Sequence, residues 1–181
     1  MIKNWLKSNY GRFLLKAVCF YIIWYILYDL WLLPDGRLDQ WVNVHIVAFA
    51  GALLRGMHFS VKYTGRQIGM QNTAGILLVS GCSGVSASGL FAGFVIAYPG
   101  RWGRRLWFII VGVAVIFIAN ILRIVVLVLT QKYYPDLFNF THHYSTTVVF
   151  YLVIFGLWMI WVGFDNDESH RTFPIKFKSG V

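Results

Sequence analysis

Charge is scarce in this chain, and negative charge is scarcest. Only 13% of the 181 residues are charged and just seven are acidic, where soluble domains carry roughly 25% charged residues. So few carboxylates argue against a metal-dependent hydrolase. No zinc-type Cys/His spacing, no CxxC pair and no glycine-rich phosphate loop is present, so neither a metal nor another cofactor is expected. The two cysteines, Cys19 inside an apolar run and Cys82 beside a glycine-rich loop, lie too far apart in different settings to suggest a disulfide framework.

What the chain does have is apolar surface. Hydrophobic residues make up 58% and aromatic residues 18% of it, the composition of an integral membrane protein. At about 20 apolar residues per spanning helix there is room for four to six membrane segments, and a separate soluble domain does not fit. The net charge of +9 comes from short clusters of Lys and Arg between apolar runs, which orient a membrane protein and form no nucleic-acid face. The expected fold is all-α, a polytopic transmembrane helical bundle in a single domain, 1–181.

The runs and their flanks predict an order. Lys3, Lys7, Arg12 and Lys16 crowd the start of the run 13–33, which is too long for a signal-peptide core and has no small-residue cleavage site after it. It reads as an anchor with a cytoplasmic N-terminus. A second run, 85–98, ends at Pro99-Gly100 and the basic cluster Arg101, Arg104 and Arg105, the strongest internal cytoplasmic mark. Spans 106–130 and 148–164 follow, then a polar tail, 165–181, expected in the cytoplasm. Residues 41–59 are expected as a re-entrant or interfacial helix or as an additional span. Between Val61 and Val79, Gly65, Gly69 and the Asn72-Thr73-Ala74-Gly75 turn signal punctuate short stretches that suggest a small extracytoplasmic hairpin ahead of Cys82.

With the Arg101–Arg105 loop inside, Cys82, Arg123 and the His142-His143 pair all reach the outer face. Gly81 and Gly84 permit a tight turn about Cys82, and a helix starting near Gly84 or Val85 would aim its first amide hydrogens at the thiol. The plain alternative is a cysteine serving as a small hydrophobe. Arg123 counts to about 10 Å below the helix end at Thr130, where a guanidinium is costly unless it faces protein or water. Asn120 shares its face at i, i+3. The structural alternative is an arginine that snorkels to the interface. Either histidine could take the thiol proton and return it to a leaving amine, and spacing does not choose between them. Gly89-Leu90-Phe91-Ala92-Gly93 is a GxxxG match that reads as helix packing.

Cys82-Ser83-Gly84, then Asn120-Ile121-Leu122-Arg123-Ile124, then a histidine heading the next span resemble the exosortase/archaeosortase family, from about Asp39 to Trp161. The compact length is similar to its short members. The resemblance implies a membrane-embedded cysteine transpeptidase or protease, with Cys82 as nucleophile, Arg123 as electrostatic partner and His143 as acid/base, His142 being the alternative. Ser83, Gly84 and Asn120 match positions that shape the site. It also implies a secreted protein substrate with a C-terminal hydrophobic sorting tail, a membrane or envelope acceptor, and no nucleic acid. Ser80 stands where many members carry an acidic residue, and Thr147 where many carry glycine. A non-enzymatic assembly factor or transporter component is the competing class.

Overall fold

A computed structural model describes residues 9–98, 101–138, 148 and 150–172. Helix α1, Asn9–Leu27, runs on through a π-helical stretch, Tyr28–Leu32, and a last turn, Leu33–Asp35. Gly36 ends it in a left-handed conformation and reverses the chain into α2, Arg37–Gly56. Strands β1 (Val61–Thr64), β2 (Gln67–Met70) and β3 (Ile76–Leu77) then form an antiparallel sheet in the order β1-β2-β3. Thr64 pairs with Gln67 and Ile68 with Ile76. Helix α3, Val85–Ala97, and the 32-residue α4, Trp102–Tyr133, come next, then a 3-10 turn, Pro135–Leu137, and α5, Phe150–Thr172.

Two packed regions divide this fold. In the first, α2 lies along the second half of α4 and the sheet closes over both. The buried residues of α2 recur at helical spacing, from Asp39 and Asn43 through Ile46, Val47 and Ala50 to Leu54, so one stripe faces inward. It meets Ile68, Leu78, Ile124, Leu127 and Val128 in one aliphatic core. In β2 the buried positions alternate, with Ile68 and Met70 inward and Gln67 outward, as the two-residue period of a strand requires.

The second region joins α3, the first half of α4 and α5 through Phe91, Val95, Ile116, Ile154, Leu157 and Trp161, with α1 laid along α3. Contact here is close and aromatic. Phe94 stacks on Trp158 with ring centroids 4.6 Å apart, and Phe108 meets Trp161 at 4.9 Å. A Cβ at Gly89 would stand 2.0 Å from the Trp24 ring, and one at Gly93 would stand 2.3 Å from Phe20. The GxxxG pair is therefore the seat of α1 on α3, as small-residue motifs are between membrane helices. Trp161 is buried in the bundle.

Two of these helices, Gly11–Asp35 and Trp102–Tyr133, are long and apolar enough to cross a membrane, and Val85–Ala97 and Tyr151–Phe164 are shorter apolar helices. The stretch expected to be re-entrant, interfacial or spanning is one unbroken helix, Arg37–Gly56. Helix α5 continues to Thr172, into residues expected as a polar tail. The small hairpin expected before Cys82 is a three-stranded sheet. Helix α4 runs beyond Thr130 to Tyr133, and its end is tied to the sheet by Gln131 Nε2 on the Gly75 carbonyl and Lys132 Nζ on the Gln71 carbonyl.

Candidate active site

Residues 79 to 84 cross from the sheet to α3 at the seam between the two regions. Gly81 at φ +87° and Gly84 at φ +79° both take left-handed conformations, which a residue with a Cβ adopts only under strain. The turn between them projects Cys82, which is half-buried and a free thiol. The Cys82 amide donates to the Val79 carbonyl at 3.2 Å, closing the turn. Ser83 Oγ accepts from the Val85 amide at 3.2 Å, and the Ser88 amide donates to the Gly84 carbonyl at 2.9 Å, starting α3.

Asp39 holds this turn from behind. It sits in the first turn of α2 with no exposed surface. Its Oδ1 accepts from the Gly81 amide at 3.1 Å and from the Ser83 hydroxyl, so both neighbours of Cys82 are bound to one carboxylate oxygen. The Tyr28 hydroxyl of α1 donates to the same carboxylate, 3.2 Å from Oδ1 and 3.3 Å from Oδ2. One turn on, Asn43 Nδ2 donates to the Val79 carbonyl at 3.1 Å. A carboxylate buried without donors would cost several kcal/mol. Here three neutral donors from α1, the turn and the α3 start satisfy it.

From the opposite side α4 supplies Asn120 and Arg123, one helical turn apart. Asn120 Nδ2 donates to the Cys82 carbonyl at 3.0 Å, and its Oδ1 accepts from an Arg123 guanidinium nitrogen at 3.4 Å. The Arg123 guanidinium lies near enough to the Cys82 side chain for the two to interact electrostatically. Asn120 is fully buried and Arg123 only 5% exposed. The fold therefore brings together Cys82, Ser83, Gly84, Asn120 and Arg123. His142 and His143 lie outside the described residues.

The amides of Gly81, Cys82 and Val85 are all engaged within the protein. The first amide of α3, that of Val85, is bonded to Ser83 Oγ. Among the described residues the Arg123 guanidinium is a cationic donor near Cys82, able to stabilise an anion forming there. Next to the turn, an apolar groove of about 570 Å³ runs from Ser83 and Gly84 along Trp24, Trp41, Ala92 and Phe117.

Sequence reasoning missed Asp39, Tyr28 and Asn43. A usable pattern was present: Asp39 and Asn43 extend at i, i+4 the same stripe that carries Val47, Ala50 and Leu54, so an inward polar pair was readable from the period. Tyr28 carried no comparable signal.

The chain matches the family described as transmembrane exosortase (Exosortase_EpsH) over residues 5–159. No curated protein and no solved structure matches it.

Proposed function

Since the chain belongs to the transmembrane exosortase family, we propose that it is a membrane-embedded cysteine transpeptidase or protease that cleaves secreted proteins at a C-terminal sorting signal. Membership supports a protein-sorting role at a membrane. The observation that carries the finer reading is the buried Arg123 guanidinium, bonded to Asn120, which in turn donates to the Cys82 carbonyl.

In this reading the Cys82 thiolate attacks the scissile carbonyl carbon, and the carbonyl electron pair moves to oxygen as a tetrahedral oxyanion facing Arg123. Collapse breaks the C–N bond. His143, or His142 in its place, passes the thiol proton to the departing amine, leaving a thioester on Cys82. An acceptor amine or hydroxyl, or water, then attacks the thioester, loses a proton to the histidine and releases the thiolate. The apolar groove ending at Ser83 and Gly84 gives the hydrophobic part of the sorting tail a wall beside the nucleophile.

Depth supports an extracytoplasmic site in a multi-pass protein. A 32-residue helix is about 48 Å long, against a hydrocarbon core of about 30 Å. Arg123 lies about 31 Å along α4 from Trp102, next to the basic cluster that marks the cytoplasmic side. In this reading the guanidinium stands at the outer rim, where its insertion cost is smallest. The sheet and the ends of α2 and α4 then stand outside the membrane.

The test is processing of a co-expressed secreted protein that ends in an apolar span and basic residues. Cys82→Ala abolishes processing while the protein persists in the membrane. His143→Ala does the same and His142→Ala does not. Full processing by Cys82→Ala would return the chain to a packing or assembly role.

A further inference from the structure

Asp39 is a buried acid in a chain with seven acidic residues, and the chemistry above gives it no proton to move and no substrate to touch. Its bonds nevertheless converge on one place. A single oxygen, Oδ1, takes the amide hydrogen before Cys82 and the hydroxyl after it. Tyr28 fixes the carboxylate from α1, and Asn43, on the same face of α2, holds the Val79 carbonyl that closes the turn. Gly81 and Gly84 leave this segment free to adopt other conformations, so its shape must come from outside it.

We infer that Asp39 is a positioning residue that clamps residues 81 to 83 so that the Cys82 sulfur stays on the Arg123 guanidinium. The inference rests on the reading of Cys82 as nucleophile. Two supports oppose each other across the turn: Asp39 on α2 grips the flanking amide and hydroxyl, and Asn120 on α4 grips the Cys82 carbonyl. Removing the Asp39 carboxylate leaves residues 81 to 83 held by Asn120 on the Cys82 carbonyl and by the Val79 carbonyl that Asn43 supports, with two left-handed glycines as hinges. The sulfur then drifts from the cation. A 1 Å misplacement of a reacting group can cost 100-fold in rate.

The sign of one measurement separates clamping from simple electrostatics. Asp39 is an anion beside the thiol, and removing a nearby anion by itself favours the thiolate. Loss of the clamp does the reverse, because it takes the thiolate away from Arg123. The experiment follows alkylation of Cys82 by iodoacetamide against pH, with each curve scaled to its own plateau to remove differences in access. It uses the full chain in membranes with Cys19→Ser, so that Cys82 is the one thiol. Asp39→Ala is expected to move the profile to higher pH and to slow reporter processing about 100-fold. Asp39→Asn, which keeps an acceptor for the Gly81 amide, is expected to restore at least tenfold of that rate. If Asp39→Ala does not accumulate, Ser83→Ala and Tyr28→Phe each remove one bond of the clamp and are expected to move the profile the same way by less. A profile that stays in place or moves to lower pH, or an Asn variant no better than Ala, overturns the clamp. Processing by Cys82→Ala would instead overturn the catalytic reading, a result the alkylation profile does not touch.

Discussion

The region around α2 and the sheet has an aliphatic core, with one ring, Tyr63, against a glycine, Gly51, and the region around α1, α3 and α5 is packed by several aromatic rings against glycine and against each other. The first buries Ile46, Leu54, Ile68 and Leu127 together with residue upon residue of the same kind. The second seats Trp24 on Gly89, Phe20 on Gly93 and Phe91 on Gly112. Water outside a structure rewards the burial of apolar area itself. Lipid does not, since the tails are as apolar as the side chains, and helices there associate through close approach and shape. Each region is packed in the manner that its proposed surroundings require. Cys82 lies at the junction, with Asp39 and Asn43 reaching it from the first region, Tyr28 from the second, and Asn120 and Arg123 from the helix that runs through both.

Substitutions at four positions, with one compensating change, sharpen or break this contrast. The largest effect belongs to the junction: Arg123→Ala should lower reporter processing by about 10²–10³-fold, the loss seen when a principal oxyanion donor is removed, with the protein still inserted. Arg123→Lys should recover little, because a lysine point charge cannot bond Asn120 and the sulfur in the same plane. Next, Leu54→Ala in the aliphatic core should cost about 2–5 kcal/mol, read as a lower melting temperature in detergent. A small cost there would mean that this region is not packed as a water-facing core. Gly89→Ala forces a Cβ against Trp24 and should cost about 1–3 kcal/mol, measured in the same melt. Its partial loss of processing should be relieved by Trp24→Phe, which frees space at the same contact. The smallest effect is expected at Arg55, which lies 4.5 Å over the Tyr63 ring and bonds the Val61 carbonyl at the surface. Arg55→Ala should cost about 0.5–1 kcal/mol and leave processing unchanged.

Much of the fold was legible because it is local. Apolar runs gave the helices, Pro99-Gly100 and the arginines gave the break before α4, and Asn72 and Gly75, both left-handed, marked the turn ahead of β3 where turn chemistry placed it. The helix ends were less legible. Helix α4 runs past Thr130 to Tyr133, where Gln131 and Lys132 bond carbonyls of the turn between β2 and β3, and no property of residues 131 to 133 alone announces those bonds. The reactive residue types were legible too, since a cysteine framed by glycines and an arginine amid isoleucine and leucine violate the pattern around them. Their supports were not. An aspartate in the first turn of a helix ordinarily has its charge satisfied by the helix dipole and water, and only its place in the stripe hints at burial.

By itself, the sequence determined a helical membrane protein, the glycine-framed cysteine and the asparagine-arginine pair one turn apart. Each of these depends on neighbours within a few residues, where period and turn chemistry act. Tertiary structure alone decided that Asp39 grips the turn from 42 residues away and Asn120 from 38. Contacts at that separation follow from which helix faces meet once apolar surface is buried, and no local rule encodes them.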